Sequence, residues 1–299
     1  MEITLITTNV TTSGGGIGFK FIGNVDVAKP KPLLRGTTVN PKQSIKFYAN
    51  KNVTITSNDE KQFEYFSDEP LTKFMILGNL NENGTPIPPD FDEATGMPIP
   101  NIESLDLSNM DTSHITDMSY MFVGLSGITS LDLSNFDTSN VTTMYGMFYL
   151  PNSLTLINVR SFDTSKVTMM GYTFSYCLNL KSLDVSNFNT SKVIYMGSMF
   201  LGCSKLISLN LSNFDTSQVV EGMQYMFAEC EKLESLDLSN FIIQDKCDLS
   251  DMFYGCTSLK TITINDEASA NKLIAQIQTD LKKTATWDST TKIITIPAA

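Results

Sequence analysis

The sequence predicts an α/β solenoid: short strand–turn–helix units laid one on the next. Three observations predict it. LDLSN begins at Leu105 and returns, with variations, at Leu131, Leu183, Leu209 and Leu236, and in weaker form at Ile157 (INVRS) and Ile262 (ITIND). The spacings are 26, 26, 26, 26, 27 and 26 residues, the extra residue falling within Val219–Gly222. Aligned copies also keep one kind of residue per column, and within a copy the apolar period switches from two to three or four.

The strand comes first. Leu105, Leu131, Ile157, Leu183, Leu209, Leu236 and Ile262 fill one column; two residues on, Leu107, Leu133, Val159, Val185, Leu211, Leu238 and Ile264 fill another. Such alternation gives a short strand with one face inward. Asp-Thr-Ser follows at Asp111–Ser113, Asp137–Ser139, Asp163–Ser165 and Asp215–Ser217, with Asn189–Ser191 as a variant. These side chains satisfy local backbone donors in turns and at helix starts. The stretch from Ile115, Val141, Val167, Val193 or Val219 through x-x-Met-x-x-Met-Phe has the spacing of one or two helical turns.

Two aromatic columns, Phe136, Phe162, Phe188, Phe214, Phe241 and Phe122, Phe148, Phe174, Phe200, Phe227, Phe253, complete the interior with the methionines. A unit this small cannot bury its apolar face alone, so copies must stack. At about 4.8 Å per strand, seven copies make a parallel sheet roughly 30 Å long. The expectation is a right-handed leucine-rich-repeat-like stack over residues 102–265.

The flanks differ. Residues 1–79 lack the repeat and read as a β-rich N-terminal domain, a small sandwich or barrel, from runs such as ITLITTNV and SIKFYANKNVTITS. Leu71–Asn79 could instead be the first solenoid strand. Residues 80–101 hold five of the eleven prolines and read as a linker. Residues 266–299 read as a C-terminal helix/strand cap. Leu273, Ile274, Ile277 and Leu281 fall at helical spacing, and KIITI alternates behind them.

LDLSNFDTSNVTTMYGMF (Leu131–Phe148) and LDVSNFNTSKVIYMGSMFLGCSKL (Leu183–Leu206) resemble the BspA-like leucine-rich repeats, the mycoplasma-lipoprotein-type repeat of bacterial and protist surface proteins. The resemblance covers about Ile102–Asn265. It implies a curved solenoid with an adhesive or protein-binding role and carries over no catalytic residue.

Composition narrows the chemistry. The formal net charge is −11, with 21 Lys+Arg against 32 Asp+Glu, which argues against nucleic acid. One His (His114) leaves little scope for His-rich metal centres or a His-activated nucleophile. No apolar run approaches the roughly 18 residues of a membrane span, so no membrane insertion is expected. Cys177, Cys203, Cys230 and Cys256 share one column with Leu125 and Pro151, and read as buried apolar positions rather than metal ligands; Cys247 reads as free. No phosphate-binding glycine motif opens a helix, and Gly14–Gly16 reads as a turn. An enzyme, a cofactor and a metal are not expected.

The expected function is therefore binding, to a protein or cell-surface ligand. The first candidate face is the outward strand row Asp106, Asp132, Asn158, Asp184, Asn210 and Asp237, flanked by serines. It reads as a partner face, a cation site, or a solvated polar face with cross-strand Ser–Asp hydrogen bonds. The second is a convex-side patch of Tyr120, Tyr145, Tyr172, Tyr195 and Tyr225. The opening MEITLITTNVTT lacks a signal peptide and the closing IPAA lacks a sorting motif. That leaves two expectations: display on a bacterial cell surface or outside it if a signal was removed, or a bacteriophage virion protein attached through the N-terminal β domain.

Overall fold

The computed structural model describes strands Ile3–Ile6 (β1), Leu34–Thr37 (β2), Ile45–Ala49 (β3), Val53–Thr56 (β4), Gln62–Ser67 (β5) and Phe74–Leu77 (β6), and residues 104–298 apart from 126 and 152. The expected linker at 80–101 and the Gly14–Gly16 turn lie outside the described residues. β1 pairs parallel with β3, and β3 antiparallel with β6. Leu71–Asn79 therefore does not begin the repeat strands, because its β6 belongs to this separate sheet. A second sheet, β4-β5-β2, continues into β7 (Ser104–Asp106), where Gly36 lies antiparallel opposite Leu105. One sheet thus contains strands from both sides of residues 80–101.

Strands β8 (Ser130–Asp132) and β9 (Leu156–Asn158) pair parallel with Leu131 opposite Ile157. β10 (Ser208–Asn210), β11 (Ser235–Asp237) and β12 (Thr261–Thr263) pair parallel with Leu209 opposite Leu236 and Leu236 opposite Ile262. The single seven-strand sheet expected from the columns is in pieces: Leu183 lies in no strand, and β7 is laddered to β2. Three-residue strands carry so few ladder bonds that a small opening removes one from the sheet.

The continuous connection runs instead through the segment expected to be helical. Met118, Tyr120, Phe122 and Gly124 donate their N–H groups to Thr143, Tyr145, Met147 and Tyr149 of the next copy, at 3.0, 3.0, 2.9 and 2.7 Å. The alternate donors Met121 and Val123 close tight turns on Met118 and Tyr120, both at 3.2 Å. The pattern recurs from Met144–Leu150 to the following copy, and so on to Met223–Glu229. A helix would bond each N–H four residues back; here half the donors are committed to the neighbouring copy, so no helix forms. The left-handed backbone confirms the difference: Tyr120, Gly146, Tyr172, Ser198, Tyr225 and Asp251 fill one positive-φ column, and Gly124, Leu150, Tyr176, Gly202, Glu229 and Gly255 a second.

Two further ladders tie the copies. The Thr112 hydroxyl donates to the Asp137 carbonyl (3.0 Å) and accepts the Asp137 N–H (2.8 Å). Buried Thr138 and Thr164 repeat the exchange with Asp163 and Asn189. The LDLSN asparagine reaches back, Asn135 Nδ2 donating to the Leu107 carbonyl at 2.9 Å and Asn187 to Phe162 at 2.8 Å. Inside, the rings of Phe122, Phe148, Phe174, Phe200, Phe227 and Phe253 form one file with centroids 5.4–6.1 Å apart and planes within 15°. Each of the six rings is fully buried.

Helix α1 (Glu267–Leu281) ends the series. Asp266 caps it, accepting the Ser269 N–H at 2.6 Å, and Leu273 and Ile277 face inward. Its polar side chains stand where another copy's backbone would. Phe253 N–H, whose counterparts donate to a following carbonyl, donates to Asp280 Oδ2 at 2.9 Å. Ile243 N–H donates to the Ser269 hydroxyl at 2.9 Å, and Lys272 Nζ donates to the Ile243 carbonyl at 2.6 Å. Strand β14 (Ile293–Thr295), flanked by β13 (Thr286–Asp288), pairs antiparallel with β12 and covers its edge.

Candidate functional site

The strand row is spent on its own turns. Oδ1 of Asp106, Asp132, Asp184 and Asp237 accepts the N–H of the serine two residues on, at 3.0, 3.0, 3.1 and 3.0 Å. Asn158 and Asn210 do the same toward Arg160 and Ser212, at 3.3 and 3.0 Å. That explains the mixture of Asp and Asn in one column: the turn needs an oxygen and not a charge. The bonds to Ser134 and Ser186 hold the Asp132 and Asp184 carboxyls below their ordinary values. These Ser–Asp hydrogen bonds are local and not the cross-strand ones expected. The row's inter-copy ion pair is Arg160 Nε with Asp184 Oδ2, 2.7 Å apart and exposed.

The turn face is where the tyrosines gather. All eight tyrosines with described side chains fall in the eight-residue windows 117–124, 143–150, 169–176, 195–202, 222–229 and 248–255. The phenylalanine file from the same windows is buried, whereas none of these tyrosines is. Tyr120 meets Tyr145 edge-on at 5.5 Å, and Tyr145 meets Tyr172 at 5.3 Å and Tyr195 at 6.4 Å. Tyr149 adds edge contacts to Tyr172 at 6.0 Å and Tyr176 at 6.1 Å. Six half-buried rings therefore form one connected cluster. Tyr225 stands apart in ring contacts; it is exposed, and Asp251 raises its phenol.

Glycines in the same or a neighbouring copy make the seats for these rings. A β-carbon on Gly146 would come within 2.5 Å of the Tyr120 ring, and one on Gly202 within 2.6 Å of Tyr176. Gly171 and Gly197 likewise lie against Tyr195. Gln224 Nε2 donates to the Tyr195 hydroxyl at 3.2 Å. Burial raises the phenols of Tyr120, Tyr145 and Tyr149, and pushes Tyr195 up to about 12, so these four are neutral at physiological pH. Sequence reading missed Tyr149 and Tyr176, whose columns hold Val123, Ser175, Leu201, Ala228 and Tyr254, and Gly124, Leu150, Gly202, Glu229 and Gly255; a scan for tyrosine across the whole window finds them.

The cysteine column is interior. Cys177, Cys203, Cys230 and Cys256 are fully buried and unpaired, each thiol donating to a phenylalanine carbonyl of the preceding copy at 2.9–3.5 Å. Burial raises the Cys256 thiol to about 12 and the half-buried Cys247 thiol to about 11, far from the thiolate that reactivity needs. Among the described residues no three His, Cys, Asp or Glu side chains gather to hold a metal ion. Near His114, the Ser113 hydroxyl donates to Asp111 (2.6 Å) and lies 3.0 Å from the His114 Nδ1. The hydroxyl thus stands between carboxylate and imidazole, whereas a nucleophilic triad needs the imidazole in the middle. An open cavity of about 570 Å³ is lined by Asn213, Asp215, Ser239, Asn240, Ile242, Asn265 and Asp266. Asp215 holds the Ser217 N–H there and Asp266 caps α1, so both carboxylates are engaged.

Tandem copies joined by backbone ladders, with an aromatic surface cluster, define a repeat protein. The chain belongs to the family described as Mycoplasma protein of unknown function, DUF285, whose profile matches residues 91–183 and 174–286. No curated protein and no solved structure matches the chain. Among the described residues no helix is long and apolar enough to cross a membrane.

Proposed function

We propose that this protein is a non-enzymatic binding or adhesion protein, a right-handed leucine-rich-repeat-like solenoid of the BspA type that holds a protein or cell-surface ligand. The tyrosine cluster carries the reading. Columns facing the interior repeat because their surroundings repeat; the outward positions of the turn face meet similar backbone surroundings yet alternate Tyr with Gly, Ser, Gln and Asp. Stacking therefore does not dictate them. Tyrosine is among the residues that dominate binding energy at protein interfaces. The strand row, small and committed to its turns, is a poorer contact surface.

The test is retention of extracellular-matrix and bacterial-surface proteins on immobilised protein. One variant carries Tyr145→Ala and Tyr172→Ala, the other Asp106→Asn, Asp132→Asn and Asp184→Asn. A specific partner lost with the tyrosines and kept with the aspartates supports the proposal. The absence of any specific partner, or loss with the aspartates alone, contradicts it.

A further inference from the structure

We infer that the tyrosine cluster receives a basic, arginine- or lysine-bearing protein segment, an assignment that rests on the binding reading above and adds the chemistry of the partner. Two independent features converge on it. The first is the cluster itself: six phenol rings linked by ring contacts, which attract cations over their faces.

The second is the sign of the surrounding charge. At the far end of the cluster burial raises the Tyr176 and Tyr195 phenols most, with Glu229 adding to the first and Asp248 adding least to the second. Asp248 and Asp251 both raise the adjoining Tyr225. Residues 101–159, which supply Tyr120, Tyr145 and Tyr149, contain six Asp and Glu and no Lys or Arg. Residues 206–251, beyond Tyr195, contain nine Asp and Glu against two lysines. Residues 160–205, which supply Tyr172, Tyr176 and Tyr195, carry five Lys and Arg against two Asp, but the six eight-residue windows that form the turn face hold Asp117, Glu229, Asp248 and Asp251 and no Lys or Arg.

A basic segment running along the copies would meet phenol faces first and carboxylates at Glu229, Asp248 and Asp251 next. The desolvated ring faces would supply specificity, and the carboxylates attraction and orientation. A neutral or acidic segment gains nothing from that rim.

The experiment measures binding of fluorescent octa-arginine, octa-glutamate and a Gly-Ser octapeptide to the full chain by anisotropy. Tyr145→Leu with Tyr172→Leu keeps apolar bulk and removes the π faces; Tyr145→Phe with Tyr172→Phe keeps the faces and removes the hydroxyls. Thermal melting confirms that both variants fold. The expected result is binding of octa-arginine alone, weakened about tenfold by the Leu pair, within about twofold of the parent in the Phe pair, and reduced by Glu229→Gln with Asp248→Asn. Equal octa-arginine binding by the Leu and Phe pairs overturns the inference, because the attraction is then net charge only. Binding of the acidic or neutral peptide through the same tyrosines also overturns it, while leaving the binding face itself in place. Loss of octa-arginine only on Asp106→Asn, Asp132→Asn and Asp184→Asn overturns both the inference and the tyrosine face.

Discussion

The ring of Tyr120 lies against the backbone of Gly146, which sits one copy on in the chain, close enough that a β-carbon there would come within 2.5 Å of the ring. Gly146 is also left-handed, with φ +62°, and its N–H donates to the Gly171 carbonyl at 2.9 Å. Gly146→Ala therefore meets two costs, about 1–2 kcal/mol of left-handed strain and the displaced ring. Combined with Tyr120→Ala, the ring cost disappears and the strain remains. A double-mutant cycle followed by denaturant melting should give losses that fall short of additive by about 0.5 kcal/mol or more. Additive losses would mean that the two residues do not touch.

Phe200 lies between Phe174 and Phe227 at 5.8 and 5.9 Å, with planes within 2° of each. It is fully buried. Phe200→Ala should cost about 3–5 kcal/mol through the cavity it leaves. An unchanged thermal midpoint would contradict the continuous file.

At the C-terminal end, Asp280 stands in for a carbonyl by accepting the Phe253 N–H. Asp280→Ala should cost about 1–3 kcal/mol, because that donor would be left without a partner. Asp280→Asn keeps an acceptor oxygen and should recover most of the loss. Hydrogen exchange at Phe253 reads the effect at the bond itself: faster in the Ala variant, near the parent in Asn.

The turn role of Asp184 makes a matching prediction for the strand row. Asp184→Asn should be nearly neutral, since Asn158 and Asn210 make the same bond. Asp184→Ala should cost up to about 1 kcal/mol, a small figure because the side chain is well exposed. Equal melting of all three forms would remove the turn role.

Alkaline pH tests the tyrosine cluster. Tyr195 is raised from 10.0 to about 12, and Tyr120 is raised as well, so the fold favours their neutral phenols. The stability this contributes is whole below the unfolded value near 10 and is lost as pH climbs through about 12. Tyrosinate absorbance should show a late-titrating class that joins the ordinary one on unfolding, and in Tyr195→Phe that late class should shrink.

The interior was legible in the sequence because each core position meets the same neighbours once per copy, so one residue type serves throughout. Met118, Met121 and Phe122 misled because inward residues of successive tight turns recur at the same intervals as on a helix. The glycines at 124, 146, 202 and 255 marked the left-handed positions that a helix does not need. The strand row was visible as a pattern, yet hydrogen bonds between an Asp and the backbone two residues on leave no period of their own. Tyr149 and Tyr176 were hidden for the opposite reason, since outward positions are not held to one residue type by repeating neighbours. The cap residues Ser269, Lys272 and Asp280 carry no sequence signal beyond an amphipathic helix, because their function depends on what the last copy leaves unpaired.

The choice between the two faces rests on where a bound partner lies. A photo-crosslinking p-benzoylphenylalanine placed at position 145 or at position 184, with a retained basic partner, decides it. Covalent capture from 145 and none from 184 is the expected result. Capture from 184 with none from 145 would contradict it.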